Sequence, residues 1–336
     1  MTRSFATVLA IAALACASAG ADASAQTLTL KMAANVPANS PWDLGLKRLA
    51  AEIDKASGGS VKIAFPQSVR VSTESDIIQK MNLGIDGALL TTYGLAELYP
   101  DSLALSMPSL IRDDAEFDAV LAAIEPLLRA KLGDKYVVLA ASKGGWVRYF
   151  SRSSILYPSD LAKLRVSVDP AGEKVMRLLQ SAGARTSKGD ISAFLLQLNS
   201  NSVDAAFVSP IFIASLWSQL RGKIAYMSPF KVSPFIGAIV FNKSAWEKVP
   251  ASMRPRLEEI LRDMSRRMGI ESAKLEDEAI AAMVKDGLKV PALPADADAK
   301  WTEFMEEKRD GIVASMFSRD ILDTIYSALA GARKGR

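Results

Sequence analysis

The chain has 336 residues, 49% hydrophobic and 23% charged, the profile of a soluble globular protein large enough for two cores. Its 41 basic and 37 acidic residues leave a formal charge of +4, and because the two signs are interspersed they form no nucleic-acid stripe; weak attraction for anions is all the balance supports. No histidine occurs and the one cysteine is Cys16, so Ser-His-Asp catalysis is excluded, and beyond Cys16 so are disulfides, Cys/His zinc sites and thiol nucleophiles.

The first stretch, MTRSFATVLAIAALACASAGADASAQ, has a basic start at Arg3, an apolar run from Phe5 to Ala17 and the small-residue pattern Ala23-Ser24-Ala25. It reads as a secretory signal peptide over 1–25, cleaved near Ala25, since the run falls short of the ~20 apolar residues that span a bilayer. Lipid attachment at Cys16 is the alternative. Export without disulfides suggests a bacterial periplasm.

From Leu28 onward short apolar runs alternate with amphipathic stretches, which predicts an α/β architecture. LTLKMAAN reads as a strand. NSPWDLGLKRLAAEIDKASGG reads as a helix capped by Ser40, with Pro41 at its first position and Gly58 stopping it. SVKIAFP alternates as a strand. STESDIIQKMNLG carries a capping box from Thr73 to Asp76. GALLTTYG is a buried strand, and 114–133 is a long helix. The pattern then restarts with strands YVVLAAS, WVRYFS and LRVSV, a helix ending at Gly183, another from about Ser192 to Asn199, strand VDAAFVS, a helix through Trp217, and strands KIAYMS and GAIVFNK. Two successive sets of strands and crossover helices predict two α/β domains, one of 26–146 plus about 233–274 and the other of 147–232 plus about 275–336. The stretch 253–285 reads as one helix of about 50 Å, long enough to brace both, or as two helices broken near Gly269. No low-complexity linker occurs, so strands make the crossings and a hinge is expected.

Catalytic chemistry is poorly supplied. No Asp/Glu pair stands out, no GxGxxG follows a strand, and GxxxxGK[ST] is absent. No cofactor, metal or nucleic-acid partner is expected. Polar and aromatic residues instead gather at predicted strand ends: Asn35, Thr91, Thr92, Tyr93, Ser167, Asp169 and Ser209, with Trp146 and Arg148 within the strand WVRYFS. In open α/β sheets those ends face the ligand, and between two such domains they face the cleft.

In NSPWDLGLKRLAAEI, GGSVKIAFP, ALSMPSLIRDDAEFDAVL, GGWVRYFSRSSILYPSDLAKLRVSV, SNSVDAAFVSP and GAIVFNKSAWEKVP, in that order, the chain from Leu28 to Met316 resembles the DctP-like solute-binding proteins of tripartite ATP-independent periplasmic (TRAP) transporters. The resemblance implies two α/β domains of the type II periplasmic binding protein kind, joined by a strand hinge with a long bracing helix, closing on a small solute for a membrane permease. It matches Arg148 to a family arginine in the NG.R.F segment facing the cleft, where it meets an anionic or polar ligand end.

Two departures stand out. Carboxylate-binding members typically read DLKGLKIRVP, the arginine of RV clamping the ligand. DLAKLRVSVD, aligned without a gap, puts Ser167 there and Asp169 just beyond; using Arg165 needs a two-residue gap. The asparagine of GQENP is replaced by Ser209. Losing a desolvated charge-assisted fork removes ~1.5–3 kcal/mol of binding. VDAAFVSPIFIASLWSQL and SPFIGAIVFNKSAW look like a subgroup with a more apolar cleft and a helical-repeat partner lipoprotein, to which Phe207, Phe212, Trp217 and Phe235 would contribute hydrophobic lining. An organic-acid receptor relying on Arg148 alone, a sensory binding module without a permease, and an enzyme remain as alternatives.

Overall fold

The computed structural model describes residues 27–36, 40–66, 73–189 and 191–334; the expected signal peptide, with Arg3, Cys16 and Ala25, lies outside them. In chain order the strands are β1 (Leu28–Ala34), β2 (Val61–Ala64), β3 (Gly87–Thr91), β4 (Tyr136–Ser151), β5 (Arg165–Val168), β6 (Arg185–Lys188), β7 (Ala205–Val208), β8 (Tyr226–Met227) and β9 (Ser233–Asn242). The helices are α1 (Pro41–Ala56), α2 (Glu74–Met81), α3 (Thr92–Leu98), α4 (Asp114–Leu132), α5 (Glu173–Ser181), α6 (Ile191–Asn199), α7 (Pro210–Ser215), α8 (Trp217–Leu220), α9 (Lys243–Trp246), α10 (Arg254–Lys285), α11 (Ala297–Lys308), α12 (Ala314–Met316) and α13 (Arg319–Lys334). Among the described residues no helix is long and apolar enough to cross a membrane.

The strands form one mixed sheet in the order β2-β1-β3-β9-β4-β7-β5-β6, with β8 also on β4. At one end β1 pairs in parallel with β2 and β3; at the other β5 pairs in parallel with β6 and β7. Between them β9 and β4 run antiparallel to their neighbours and to each other, so two parallel halves are connected through two long strands. This is the arrangement of a type II periplasmic binding protein, and it supplies the strand hinge that the absence of a linker predicts.

The sequence reading divides YVVLAAS from WVRYFS at the intervening glycines, whereas β4 is a single strand of 16 residues. Its pairing with β9 shifts register between Lys143 and Gly145, where Gly145 adopts φ +119°. The glycine pair therefore makes a bulge instead of a break. Val137 to Ser142 lie on the first half's side, and Arg148 to Ser151 pair with β7 in the second.

Helix α10 runs unbroken through Gly269. Leu257, Ile260, Leu261, Met264 and Met268 recur at helical spacing and are buried against Leu30, Leu49, Ile239 and Phe241 of the first half. Near its other end Met283 enters the second half's core with Phe150, Phe194 and Trp217. At 32 residues, or about 48 Å, the helix spans both cores. Gly269 marks a close approach, since a Cβ there would lie 3.3 Å from the carbonyl of Lys143 on β4.

The chain's end departs from the expected boundaries. Helix α13, assigned by sequence to the second half, packs on α4 of the first, and Arg333 binds Glu116 at 2.9 Å and the carbonyl of Leu110 at 3.1 Å. Its buried face of Ile321, Leu322, Ile325 and Leu329 matches the apolar groove along α4, which draws the terminus back across the molecule.

Gly145 has no freedom to carry a side chain: its φ is left-handed and a Cβ would come 2.5 Å from Oε2 of Glu276 on α10. Gly145→Ala is expected to destabilise the protein by about 1–3 kcal/mol, read as a lower urea midpoint with an unchanged slope.

Candidate functional site

A cavity of about 810 Å³ lies between the two halves, on one face of the sheet. Its first wall is built from strand ends and helix starts: Asn35 after β1, Phe65 after β2, Glu74 at the first turn of α2, Thr91 at the end of β3 and Tyr93 on α3. The second wall carries Ser167 on β5, Asp169 beyond it, Phe194 on α6, Phe207 on β7, and Ser209 and Phe212 around the start of α7. Val147 on β4 and Phe235 on β9 form the floor from the two shared strands.

Of the residues proposed from sequence, Asn35, Thr91, Tyr93, Ser167, Asp169, Phe207, Ser209 and Phe212 line this cavity, as does Phe235. Thr92 is buried, and its Oγ1 accepts the backbone N–H of Ile236. Trp217 lies in the second half's core with its indole donating to Asp286 at 2.8 Å. Arg165 stands outside the cleft, forked onto Asp204 by bonds of 2.8 and 2.6 Å, so the cleft position on β5 belongs to Ser167.

Arg148 and Trp146 require a correction. Successive side chains of a strand point to opposite faces, and on β4 Val147 takes the cleft face. Arg148 and Trp146 instead line a second cavity of about 760 Å³ behind the sheet, bounded by α4 and α10. There Trp146 donates its indole N–H to Asp114 at 3.1 Å and packs edge-on against Phe117. Arg148 donates to the carbonyl of Pro229 at 2.9 Å, and its Nε lies 4.0 Å from Glu276. Glu276 is itself bound by the backbone N–H of Trp146 at 2.7 Å. Burial pushes the Glu276 carboxyl up and the Arg148 guanidinium down, and their mutual attraction across 4.0 Å only partly offsets it.

Sequence reasoning missed Glu74 and Gln197. Glu74 accepts from the backbone N–H of Thr91 at 2.6 Å, from Thr91 Oγ1 at 2.5 Å and from the N–H of Gly94 at 3.0 Å. Burial nevertheless pushes its carboxyl up, those bonds pull against it, and the charge of Asp169 adds to the rise. A signal was present: the capping box of α2 needs only Thr73 and Asp76, leaving a second first-turn carboxylate free to turn inward. Gln197, on the exposed-looking helix α6, reaches Ser167 and had no local signal. Burial, with Asp169 nearby, also holds the Tyr93 hydroxyl protonated.

Two α/β halves joined by long strands, with a solute-sized cleft at their strand ends, have the architecture of a protein that binds a small solute between its halves. Residues 32–316 match the family described as bacterial extracellular solute-binding protein, family 7 (DctP), and the chain belongs to that family. A "Solute-binding protein" of Verminephrobacter eiseniae (strain EF01-2) is 24% identical over 237 residues, 68% of each chain. Among solved structures, a TRAP periplasmic solute binding protein from Ralstonia eutropha H16 with bound (S)-2-acetolactate superposes with a TM-score of 0.79 at 17% identity, covering 92% of this chain and 99% of that one. One from Sulfurospirillum deleyianum with bound succinate gives 0.76 at 18% identity, covering 90% and 99%. One from Desulfovibrio salexigens with bound orotic acid gives 0.79 at 16% identity, covering 91% and 100%. The protein is thus a bacterial extracellular solute-binding protein of the DctP family, a binding protein and not an enzyme, with the fold of the TRAP periplasmic solute binding proteins it resembles.

Arg148→Ala removes the cation nearest Glu276 and is expected to cost about 1–3 kcal/mol in unfolding free energy at pH 7. Without Arg148 the Glu276 carboxyl titrates higher still. The deficit should therefore shrink as pH falls below the raised Glu276 value, where the carboxyl is protonated with or without the arginine. Urea unfolding at several pH values measures this, and a deficit that grows on acidification would contradict the pairing.

Proposed function

We propose that this receptor takes a solute with an apolar, partly aromatic body, positioned by shape and by a few hydrogen bonds. The observation that carries the reading is the lining of the cleft: Phe65, Tyr93, Phe194, Phe207, Phe212 and Phe235 face it from both halves, while among the described residues no lysine or arginine does. Phe212 and Phe235 meet edge-on, 6.2 Å between centroids, which joins α7 to the floor strand. Burying apolar area yields roughly 25 cal/mol per Å². A carboxylate drawn in among these described residues would shed its hydration with no lysine or arginine of theirs to replace it, a loss of several kcal/mol.

Thr91, Tyr93, Ser167 and Ser209 serve as hydrogen-bonding groups in this reading, and Asn35 and Asp169 stand at the rim. A solute touching Phe65 and Tyr93 on one side and Phe194 and Phe207 on the other favours the closed state, which the permease would recognise. Export with cleavage near Ala25, and a helical-repeat periplasmic lipoprotein as an accompanying partner, belong to the same reading. The rival is a conventional organic-acid receptor, favoured by the acetolactate, succinate and orotic acid bound to the similar structures.

Denaturing freshly purified protein and identifying the released small molecule by mass spectrometry tests this. A stoichiometric compound with an alkyl or aromatic body is expected, together with no heat of binding for succinate or galacturonate by calorimetry. Micromolar binding of either acid would return the protein to the organic-acid receptors.

A further inference from the structure

We infer that Ser167 reads the polar end of the solute as a hydrogen-bond donor, a hydroxyl or an N–H group, because its own hydrogen is committed to Gln197. The inference rests on the cleft being the solute site and deepens that reading. Ser167 is 3% exposed, on β5 at the bottom of the cleft. Its Oγ lies 2.7 Å from Gln197 Oε1 and 3.4 Å from the carbonyl of Gly189. The amide of Gln197 is oriented by its other end: Nε2 donates to the carbonyl of Lys188 at 3.0 Å, a bond only an N–H can make. Both neighbours of the Ser167 oxygen are therefore acceptors. A hydroxyl has one hydrogen, and once that hydrogen goes to Gln197 only lone pairs face the cavity.

Gly189 makes this arrangement possible. A Cβ there would come 2.8 Å from Gln197 Oε1 and 3.0 Å from Ser167 Oγ, so any other residue would push the amide off the serine. The opposite wall presents the same polarity. Thr91 Oγ1 donates to Glu74 at 2.5 Å and accepts from the N–H of Tyr93 at 3.2 Å, and the Glu74 carboxylate accepts from Thr91 N–H, Thr91 Oγ1 and Gly94 N–H. Oxygen lone pairs thus face the cleft from both halves. A carboxylate end would set acceptor against acceptor at Ser167 and bring a second carboxyl up to Glu74. A hydroxyl or amine end completes the bonds that both leave open.

The test uses three probes sharing one aromatic body: 3-phenylpropan-1-ol, 3-phenylpropylamine and 3-phenylpropanoate, titrated calorimetrically into the whole protein. The alcohol and the amine are expected to bind about tenfold or more tighter than the acid. Gln197→Met, which keeps the side-chain length and removes the acceptor, frees the Ser167 hydrogen and should draw that ratio toward one by improving the acid. A change confined to folding would not move the ratio. Should Gln197→Met fail to fold, Ser167→Ala should weaken the alcohol and leave the acid unchanged. Tightest binding by the acid, or a ratio indifferent to both variants, overturns the inference while leaving the apolar-body reading intact. Binding of none of the three overturns the apolar-body reading and this inference with it.

Discussion

The structure depends on how β4 crosses from one half to the other against α10. A strand that must serve both halves of one sheet cannot keep one flat register, and the bulge at Gly144 and Gly145 takes up the mismatch. The bulge leaves a backbone N–H turned away from the ladder at Trp146, and Glu276 reaches from the long helix to accept it at 2.7 Å. A buried carboxylate at a strand crossing is an expensive way to satisfy one donor unless position matters. Here it ties the crossing point to the long helix, whose side chains enter both cores through Met264 and Met268 in the first and Met283 in the second.

That crossing decides what each cavity is made of. Because β4 alternates, Val147 goes to the cleft and Arg148 to the rear. The rear cavity is charged but internally matched, Lys143 with Asp118, Lys231 with Asp114 and Arg148 with Glu276. The cleft receives aromatic rings, hydroxyls and carboxylates. A shift of one residue in the strand's phase would exchange the two sets and put a guanidinium where the solute binds.

This explains what the sequence could and could not disclose. Strand and helix periodicity marked the strand ends and the long helix, and Thr91, Ser167 and Ser209, read from those ends, line the cleft, whereas Phe207 came from the family resemblance. Arg148 was misplaced because its facing depends on the bulge at Gly144 and Gly145, three to four residues earlier, and two glycines in sequence look the same whether they break a strand or kink it. Glu74 was legible in principle, as a carboxylate surplus to a capping box. Gln197 was not, because its function arises from contact with a residue 30 positions away and from a glycine that leaves it room. Helix α13 was drawn to the wrong half because an amphipathic helix announces that it has a partner and says nothing of which.

On the proposed reading, a fold shared with acid-binding proteins must accommodate a different ligand end at the position the resemblance gives to a clamp arginine, here Ser167. A clamp arginine does two things: it supplies charge and it fills space at the base of the cleft. Exchanging it for serine alone would leave a polar hole. In this chain Gln197 occupies the space beside Ser167, anchored to Lys188, and turns the serine's polarity outward as an acceptor. With Glu74 buried opposite and already bound by three donors, the site holds negative and lone-pair character on both walls without leaving a hydrogen-bond donor stranded at either residue. On the reading proposed for Ser167, specificity would follow less from any single substitution than from the direction in which one hydroxyl hydrogen is made to point.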